Sequence, residues 1–240
     1  MKTLWLIAAR SGSTGIPDKN VKLLAGHPLL AYRVAAAREI AARPDVWIST
    51  DSSRYAEIAA TYGATVPFLR PAELATDAAS SVDVVVHALD VAEAQGLRYE
   101  AVALLEPTAP FVRSSTLSAA LAQLSATPAA DAIVATRTVR PSTFYVQPAG
   151  PYLDVLGERL GAGILRRQDE RAEITPSGGF YIARTESVRR RGTFYSGATL
   201  AYPVGLGEDL EIDEPIDWDW AEFLVERGKA TLPQVLGQLA

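Results

Sequence analysis

Thr3-Leu4-Trp5-Leu6-Ile7-Ala8-Ala9-Arg10-Ser11-Gly12-Ser13-Thr14-Gly15-Ile16-Pro17-Asp18-Lys19-Asn20 begins as an apolar run and breaks into a loop of small residues. The run reads as a strand buried on both faces, as in parallel sheets. Gly12 and Gly15 let the main chain approach a ligand closely, and successive backbone N–H groups in such a turn form an anion-binding concavity. With Arg10 and Lys19 added, the loop points to a nucleoside triphosphate. Neither G-x-x-x-x-G-K-[ST] nor G-x-G-x-x-G is present, and an ordinary strand-to-helix turn is the plainer alternative for these residues alone.

Outward from this stretch, apolar runs alternate with helical stretches, the pattern of a parallel sheet covered on both faces. Strands are expected at Thr3–Ala9, Asp45–Thr50, Ala64–Phe68, Ala101–Leu105, Asp131–Thr136, Gly179–Ala183 and Leu200–Val204. Helices are expected at Leu29–Ala42, from Asp51 or Ser52 to about Tyr62, at Ser80–Ala94, from a Ser114 cap to about Leu124, and at Pro215–Arg227. Leu29, Leu30, Val34, Ile40 and Ala41 are the core contacts expected of the first helix. After Pro141 the alternation gives way to Pro, Gly, Tyr and charged residues, while Phe144, Tyr145, Val146, Tyr152, Leu153, Val155 and Leu156 supply an apolar face. The expectation is one domain over 1–240 with an inserted dimerisation and substrate-lid segment at 138–176.

The 240 residues are 48% hydrophobic and 21% charged, enough for one sizeable core. A net charge of −5 gives no electrostatic footprint for nucleic acid. The absence of cysteine removes thiolate metal sites and cysteine nucleophiles, and the two histidines, His27 and His87, show no ligand spacing. No stretch is long and apolar enough to span a bilayer and the first run reads as a strand, not a leader, so a cytoplasmic protein is expected.

In open α/β sheets ligands sit outside the carboxyl ends of the strands, and the loops there are polar in a coordinated way. They read Arg10 to Asn20, then Leu69-Arg70-Pro71-Ala72-Glu73-Leu74-Ala75-Thr76-Asp77-Ala78-Ala79-Ser80-Ser81, then Glu106-Pro107-Thr108-Ala109-Pro110, and finally Glu208-Asp209-Leu210-Glu211-Ile212-Asp213-Glu214. Together they resemble the acylneuraminate cytidylyltransferase family, which carries A-R-x-x-S-K-G-[IL]-P-x-K-N, R-P-x-x-L-A-[ST]-D, L-L-Q-P-T-[SA]-P, N-G-A-x-Y-I and D-I-D or E-I-D in this order. The match covers nearly the whole chain and implies a Rossmann-like α/β nucleotidyltransferase fold, with a mixed, mostly parallel sheet flanked by helices.

The resemblance implies nucleotide contacts at Ala9, Arg10, Ser11, Gly12, Ser13, Lys19, Asn20, Arg70, Ser80 and Ser81. Arg70 would otherwise read as a surface charge beside the 72–75 turn. Glu106, Thr108, Arg167, Gln168, Ser177, Gly178 and Tyr181 are implied on the acceptor side. Glu211 and Asp213 match the acidic metal pair; alternate residues of an extended segment face the same way, and Mg²⁺ suits carboxylates plus triphosphate oxygens. The same acids also suit the N-terminus of the 215–227 helix. The implied catalytic set is Arg10, Lys19 and Asp213. Implied partners are CTP, an acidic sugar and a second copy of the chain, without nucleic acid or membrane.

Four positions depart from the pattern. Thr14 stands at the family's loop lysine, Glu106 at its glutamine, Ser177-Gly178-Gly179 at its Asn-Gly-Ala, and Thr175 where arginine is frequent. Most fall on the acceptor side. The expected reaction is CTP plus a sialic-acid-like 2-keto sugar acid giving a CMP-sugar and pyrophosphate. Two alternatives are a different acidic acceptor, such as an aminated octulosonate or a phosphonate, and a nucleotide-binding protein without turnover.

Overall fold

The computed structural model describes residues 1–13, 15–40, 44–139, 146–149, 152–155, 173–205 and 207–235, with the side chains of 146–149, 152–155 and 173 left aside. Two compact units result, one of Met1–Thr136 with Pro176–Ala240 and one of Arg137–Thr175.

The first unit is built on a sheet ordered β10-β6-β9-β5-β1-β4. Its strands are β1 (Thr3–Ala8), β4 (Asp45–Ser49), β5 (Ala101–Leu105), β6 (Ala132–Val139), β9 (Glu173–Arg184) and β10 (Thr199–Pro203). β1 runs parallel to β4 and β5, and β10 parallel to β6, whereas β9 is antiparallel to β5. Period-2 alternation explains why β1 and β5 are apolar throughout. Trp5, Ile7, Ala103 and Leu105 enter the core on one face, and Leu4, Leu6, Val102 and Leu104 enter the core on the other.

The first core packs against α1 (Leu29–Arg38), α2 (Ser53–Thr61) and α4 (Ser114–Ala126), the second against α3 (Ser81–Ala94) and α5 (Thr185–Arg191). A third cluster joins Ile16, Leu24, Leu29, Tyr32, Phe111 and Ile212 to Trp218 and Ala221 of α6 (Pro215–Glu226). That cluster carries the first loop and the acidic segment before α6 on one apolar support.

Several boundaries differ from the sequence expectation. At 64–68 there is no strand but a single bridge, Thr65 to Trp47, and Pro67, which has no N–H to donate, follows two residues later. Ser114 does not cap α4: Arg113 holds the cap position, and the Ser114 hydroxyl instead donates to Glu39 at 2.7 Å. α1 ends at Arg38, before the expected Ala42; of its expected core residues, Ala41 lies outside the described residues and Ile40 packs partly buried beyond the helix end. Ser52, not Asp51, caps α2. β9 starts at Glu173, earlier than Gly179. Elements not expected include the hairpin of β2 (Leu23–Leu24) and β3 (His27–Pro28), and α5. The second unit contains an antiparallel hairpin of β7 (Val146–Ala149) and β8 (Tyr152–Val155). Phe144, Tyr145 and Leu156 lie outside the described residues.

Candidate active site

The parallel strands β1, β4 and β5 end at the same edge, and the loops leaving β1 and β5 enclose a cavity of about 500 Å³. β1 has β4 on one side and β5 on the other, so the cavity lies at the topological switch point of the sheet. Among the residues named from sequence, Arg10, Ser13, Gly15, Lys19, Asn20, Arg70, Ser81, Glu106, Thr108 and Asp213 line it.

The first loop is held in shape by side-chain hydrogen bonds. Ser11 donates from its N–H and its hydroxyl to the two oxygens of Asp51, at 2.8 and 2.6 Å. Burial pushes the Asp51 carboxyl up, but these bonds outweigh it and the net shift is downward. Asn20 donates to the Arg10 carbonyl at 3.0 Å. Asp18 adopts a left-handed φ of 53°, and its carboxylate, drawn down by its bonds from Tyr55 and Arg54, accepts from both. Gly15 is required by a close approach: a Cβ there would fall 2.4 Å from the Asp213 carbonyl oxygen.

That approach brings two segments distant in the chain together. Lys19, almost wholly buried, donates from Nζ to the Ile212 carbonyl at 2.8 Å and to Asp213 Oδ1 at 2.9 Å. Ile212 N–H donates to the Thr108 carbonyl at 2.8 Å, tying the acidic segment to the loop after β5. Asp217 in the first turn of α6 accepts the N–H groups of Asp213 and Glu214, at 2.9 and 2.8 Å. The acidic run therefore also serves as the α6 terminus, with Glu214 and Asp217 forming a capping box. Glu211 lies against Gly178, where φ is +67° and a Cβ would stand 2.4 Å from the Glu211 carboxylate.

Arg70 is buried, which corrects the reading as a surface charge. Its Nε donates to Ser49 Oγ at 2.9 Å and its Nη2 to the Ser49 carbonyl at 2.6 Å, and burial pulls its pKa down to about 10. Arg10 pairs with Asp77, a residue of the 70–81 loop that is largely exposed. Ser80 is the N-cap of α3 and forms a capping box with Asp83. Ser81 donates to Glu106, whose carboxyl is pushed up by burial and by Asp213, with Lys19 and Arg70 opposing.

The residues that the sequence resemblance implied on the acceptor side are arranged differently. The hydroxyl oxygens of Thr108 and Ser177 are buried without a hydrogen-bond partner. Tyr181 packs against Phe194 and Tyr195, and its hydroxyl, raised first by burial, also feels Glu106 and Glu211. Ala9, Ser11, Gly12, Ser80, Ser177, Gly178, Tyr181 and Glu211 stand outside the cavity lining. Thr14, Arg167 and Gln168 lie outside the described residues.

Sequence reasoning missed several groups, besides Asp217 of α6. Asp77 and Glu214 line the cavity, and their signal was present in the motifs that contain them. Arg33 of α1 has no exposed surface, and buried Glu208 accepts from Arg113 and Thr116. An isolated Arg in a helix or Glu in a loop carries no sequence mark of burial.

A cytidylyltransferase family model matches residues 4–150. The chain is 31% identical over 233 residues to CMP-N,N'-diacetyllegionaminic acid synthase of Legionella pneumophila, covering 97% of this chain and 100% of that protein. It is 34% identical over 221 residues to N-acylneuraminate cytidylyltransferase of Escherichia coli, covering 92% of this chain but 51%, about half, of that longer protein. Its fold is similar to that of CMP:2-keto-3-deoxy-manno-octonic acid synthetase complexed with CTP, with a TM-score of 0.68 at 17% identity over 95% of this chain and 100% of that one.

Proposed function

The chain belongs to the cytidylyltransferase family, and from that membership we propose that it transfers CMP from CTP to the anomeric 2-hydroxyl of a sialic-acid-like 2-keto sugar acid, releasing pyrophosphate. The observation that carries the reading is the convergence of Arg10, Lys19 and Arg70 on one cavity with Asp213 at its rim. In this reading the sugar hydroxyl attacks the α-phosphorus in line and pyrophosphate departs, so the protein's work is positioning and charge stabilisation. Lys19 and Arg10 bind the polyphosphate, and the first-loop N–H groups receive its oxygens. Arg70, fixed by Ser49, shapes the nucleotide end.

The described lining carries three cations, Arg10, Lys19 and Arg70, and four carboxyl groups, Asp77, Glu106, Asp213 and Glu214. A polyanion needs more positive charge than this cavity holds. Asp213 and Glu211 are hard oxygen donors that fit Mg²⁺, and no described group of three or more His, Cys, Asp or Glu residues forms a complete protein cage. Two carboxylates with triphosphate oxygens and water suit that ion, which when bound would neutralise phosphoryl charge. Asp217 and Lys19 hold Asp213 in place for it.

Glu106 favours a narrower acceptor class. Standing where the family has a glutamine, this carboxyl is pushed up by burial and by Asp213, and as a hydrogen-bond acceptor it suits a sugar bearing N–H donors such as acylamino groups, of the legionaminate or pseudaminate kind. The unit Arg137–Thr175 is the segment proposed to pair with a second copy, and a cytoplasmic location belongs to the same proposal.

Pyrophosphate release tests the reading, with CTP and Mg²⁺ and a panel of sialic, legionaminic, pseudaminic, deoxy-octulosonic and phosphonate acceptors. Release with one acceptor, abolished in Asp213→Ala, is the expected result. CTP binding with silence across the panel would favour a binding protein, and sedimentation as a monomer at micromolar concentration would remove the dimer.

A further inference from the structure

Among the described residues, Arg33 is the largest of the fully buried side chains and carries a positive charge inside the core. Its Nη1 donates to the Val112 carbonyl at 3.0 Å and its Nη2 to the Gly179 carbonyl at 3.1 Å, while its buried Nε has no partner. Burial pulls its pKa down to about 9, with the field of Glu208 opposing, so it remains a cation at neutral pH. Burying an ion costs several kcal/mol, and an apolar side chain would avoid that cost.

The two carbonyls it joins explain its presence. Val112 closes the loop after β5, the loop whose Thr108 carbonyl accepts from Ile212 N–H. Gly179 follows Gly178, against which the Glu211 carboxylate lies. The Val112 side chain also packs on the Gly179 backbone, where a Cβ would meet Val112 Cγ2 at 3.1 Å. The loop that Val112 closes thus anchors the acidic segment at Ile212, and the Gly178-Gly179 backbone seats the Glu211 carboxylate. The planar fork of a guanidinium spans two carbonyls at set positions, which a lysine ammonium does not.

We infer that Arg33 is a positioning residue: by holding Val112 and Gly179 together it sets where Glu211 and Asp213 stand, and it acts on the reaction only through them. This rests on the cytidylyltransferase reading.

The test uses the full chain and three measurements: CTP binding by calorimetry with and without Mg²⁺, steady-state pyrophosphate release, and thermal unfolding. Arg33→Lys is expected to keep metal-free CTP affinity within about twofold, because Arg10, Lys19 and Arg70 retain their partners. It is expected to lose about tenfold in kcat and to need about tenfold more Mg²⁺ for half-maximal CTP binding, with KM for CTP near that of the parent. Gly178→Ala disturbs the same carboxylate seat without touching the buried cation, and is expected to reproduce this split even if Arg33→Lys fails to fold. Lowered thermal stability in Arg33→Lys with unchanged kcat and Mg²⁺ requirement would overturn the inference and leave Arg33 a strut. Wild-type Mg²⁺ dependence in Gly178→Ala would overturn it equally. A parent chain that binds no CTP would instead overturn the cytidylyltransferase reading, before any variant is compared.

Discussion

The two ends of the cleft are finished to different degrees. At the β1 and β4 end the polar groups are saturated by the protein itself: Ser11 on Asp51, Asn20 on the Arg10 carbonyl, and Arg70 on Ser49. At the β5 and β9 end the Thr108 and Ser177 hydroxyls are buried without partners, and the Glu106 carboxyl is pushed up. Buried polar groups are rarely left unpaired in proteins. The difference teaches that the β1 and β4 end is organised in advance, whereas the β5 and β9 end keeps bonding capacity that no described protein group uses.

The largest effect expected at the organised end is from Lys19→Met. It removes the cation that ties the acidic segment to the first loop and should lower turnover by about 100- to 1,000-fold, read as initial rate of pyrophosphate release. A loss below tenfold would mean that this end is not organised by Lys19.

Glu208 gauges what a saturated buried carboxylate contributes. It accepts from Arg113 and Thr116, and although burial pushes its pKa up, those bonds bring it below the ordinary 4.5. Its contribution to stability is therefore complete above the unfolded value and is lost as the pH falls through the folded one. Glu208→Ala should lose about 2–3 kcal/mol in urea unfolding at neutral pH. The gap from the parent should close in acid, and a constant gap would mean a packing effect.

Thr108→Val is the matching change at the unsaturated end. Deleting an unpaired buried hydroxyl should leave stability unchanged or raise it by about 0.5 kcal/mol, while KM for the acceptor rises about five- to tenfold. A loss of stability without a change in KM would break the contrast between the two ends. The smallest effect belongs to Asp77→Asn. Freeing Arg10 from its largely exposed partner should tighten CTP binding about threefold at low salt, with the gain fading as salt is added.

How far the molecule was legible from its residues follows the same division. The apolar runs of β1 and β5 announce themselves because both faces of those strands are buried, and the small-residue loop after β1 does so because Gly15 has no room for a Cβ. Proline-interrupted pairing at 64–68 was over-read, since Val66 and Phe68 carry strand-like character while Pro67 does not continue a ladder. Arg33 and Glu208 were not legible at all. Their roles depend on backbone carbonyls and N–H groups brought from distant segments, and a charged residue inside an ordinary helix or loop has no local pattern to distinguish it from a solvated one. Asp217 was invisible for a related reason: its bonds to the Asp213 and Glu214 N–H groups look, in sequence, like any acid in a first helical turn.

The contact between Lys19 and the Ile212 carbonyl joins residues 193 positions apart. In a chain growing from its N-terminus, the first loop emerges before the acidic segment, and the cleft cannot close until residue 213 has been made. Pairings of such long separation are paid for in loop-closure entropy and form late. The nascent protein must therefore build its sheet without help from any ligand of the cleft. Ligand bound at the finished cleft protects only the completed chain from unfolding, and any product of premature termination before the acidic segment is expected to fall outside that protection and to be cleared as an incomplete fold.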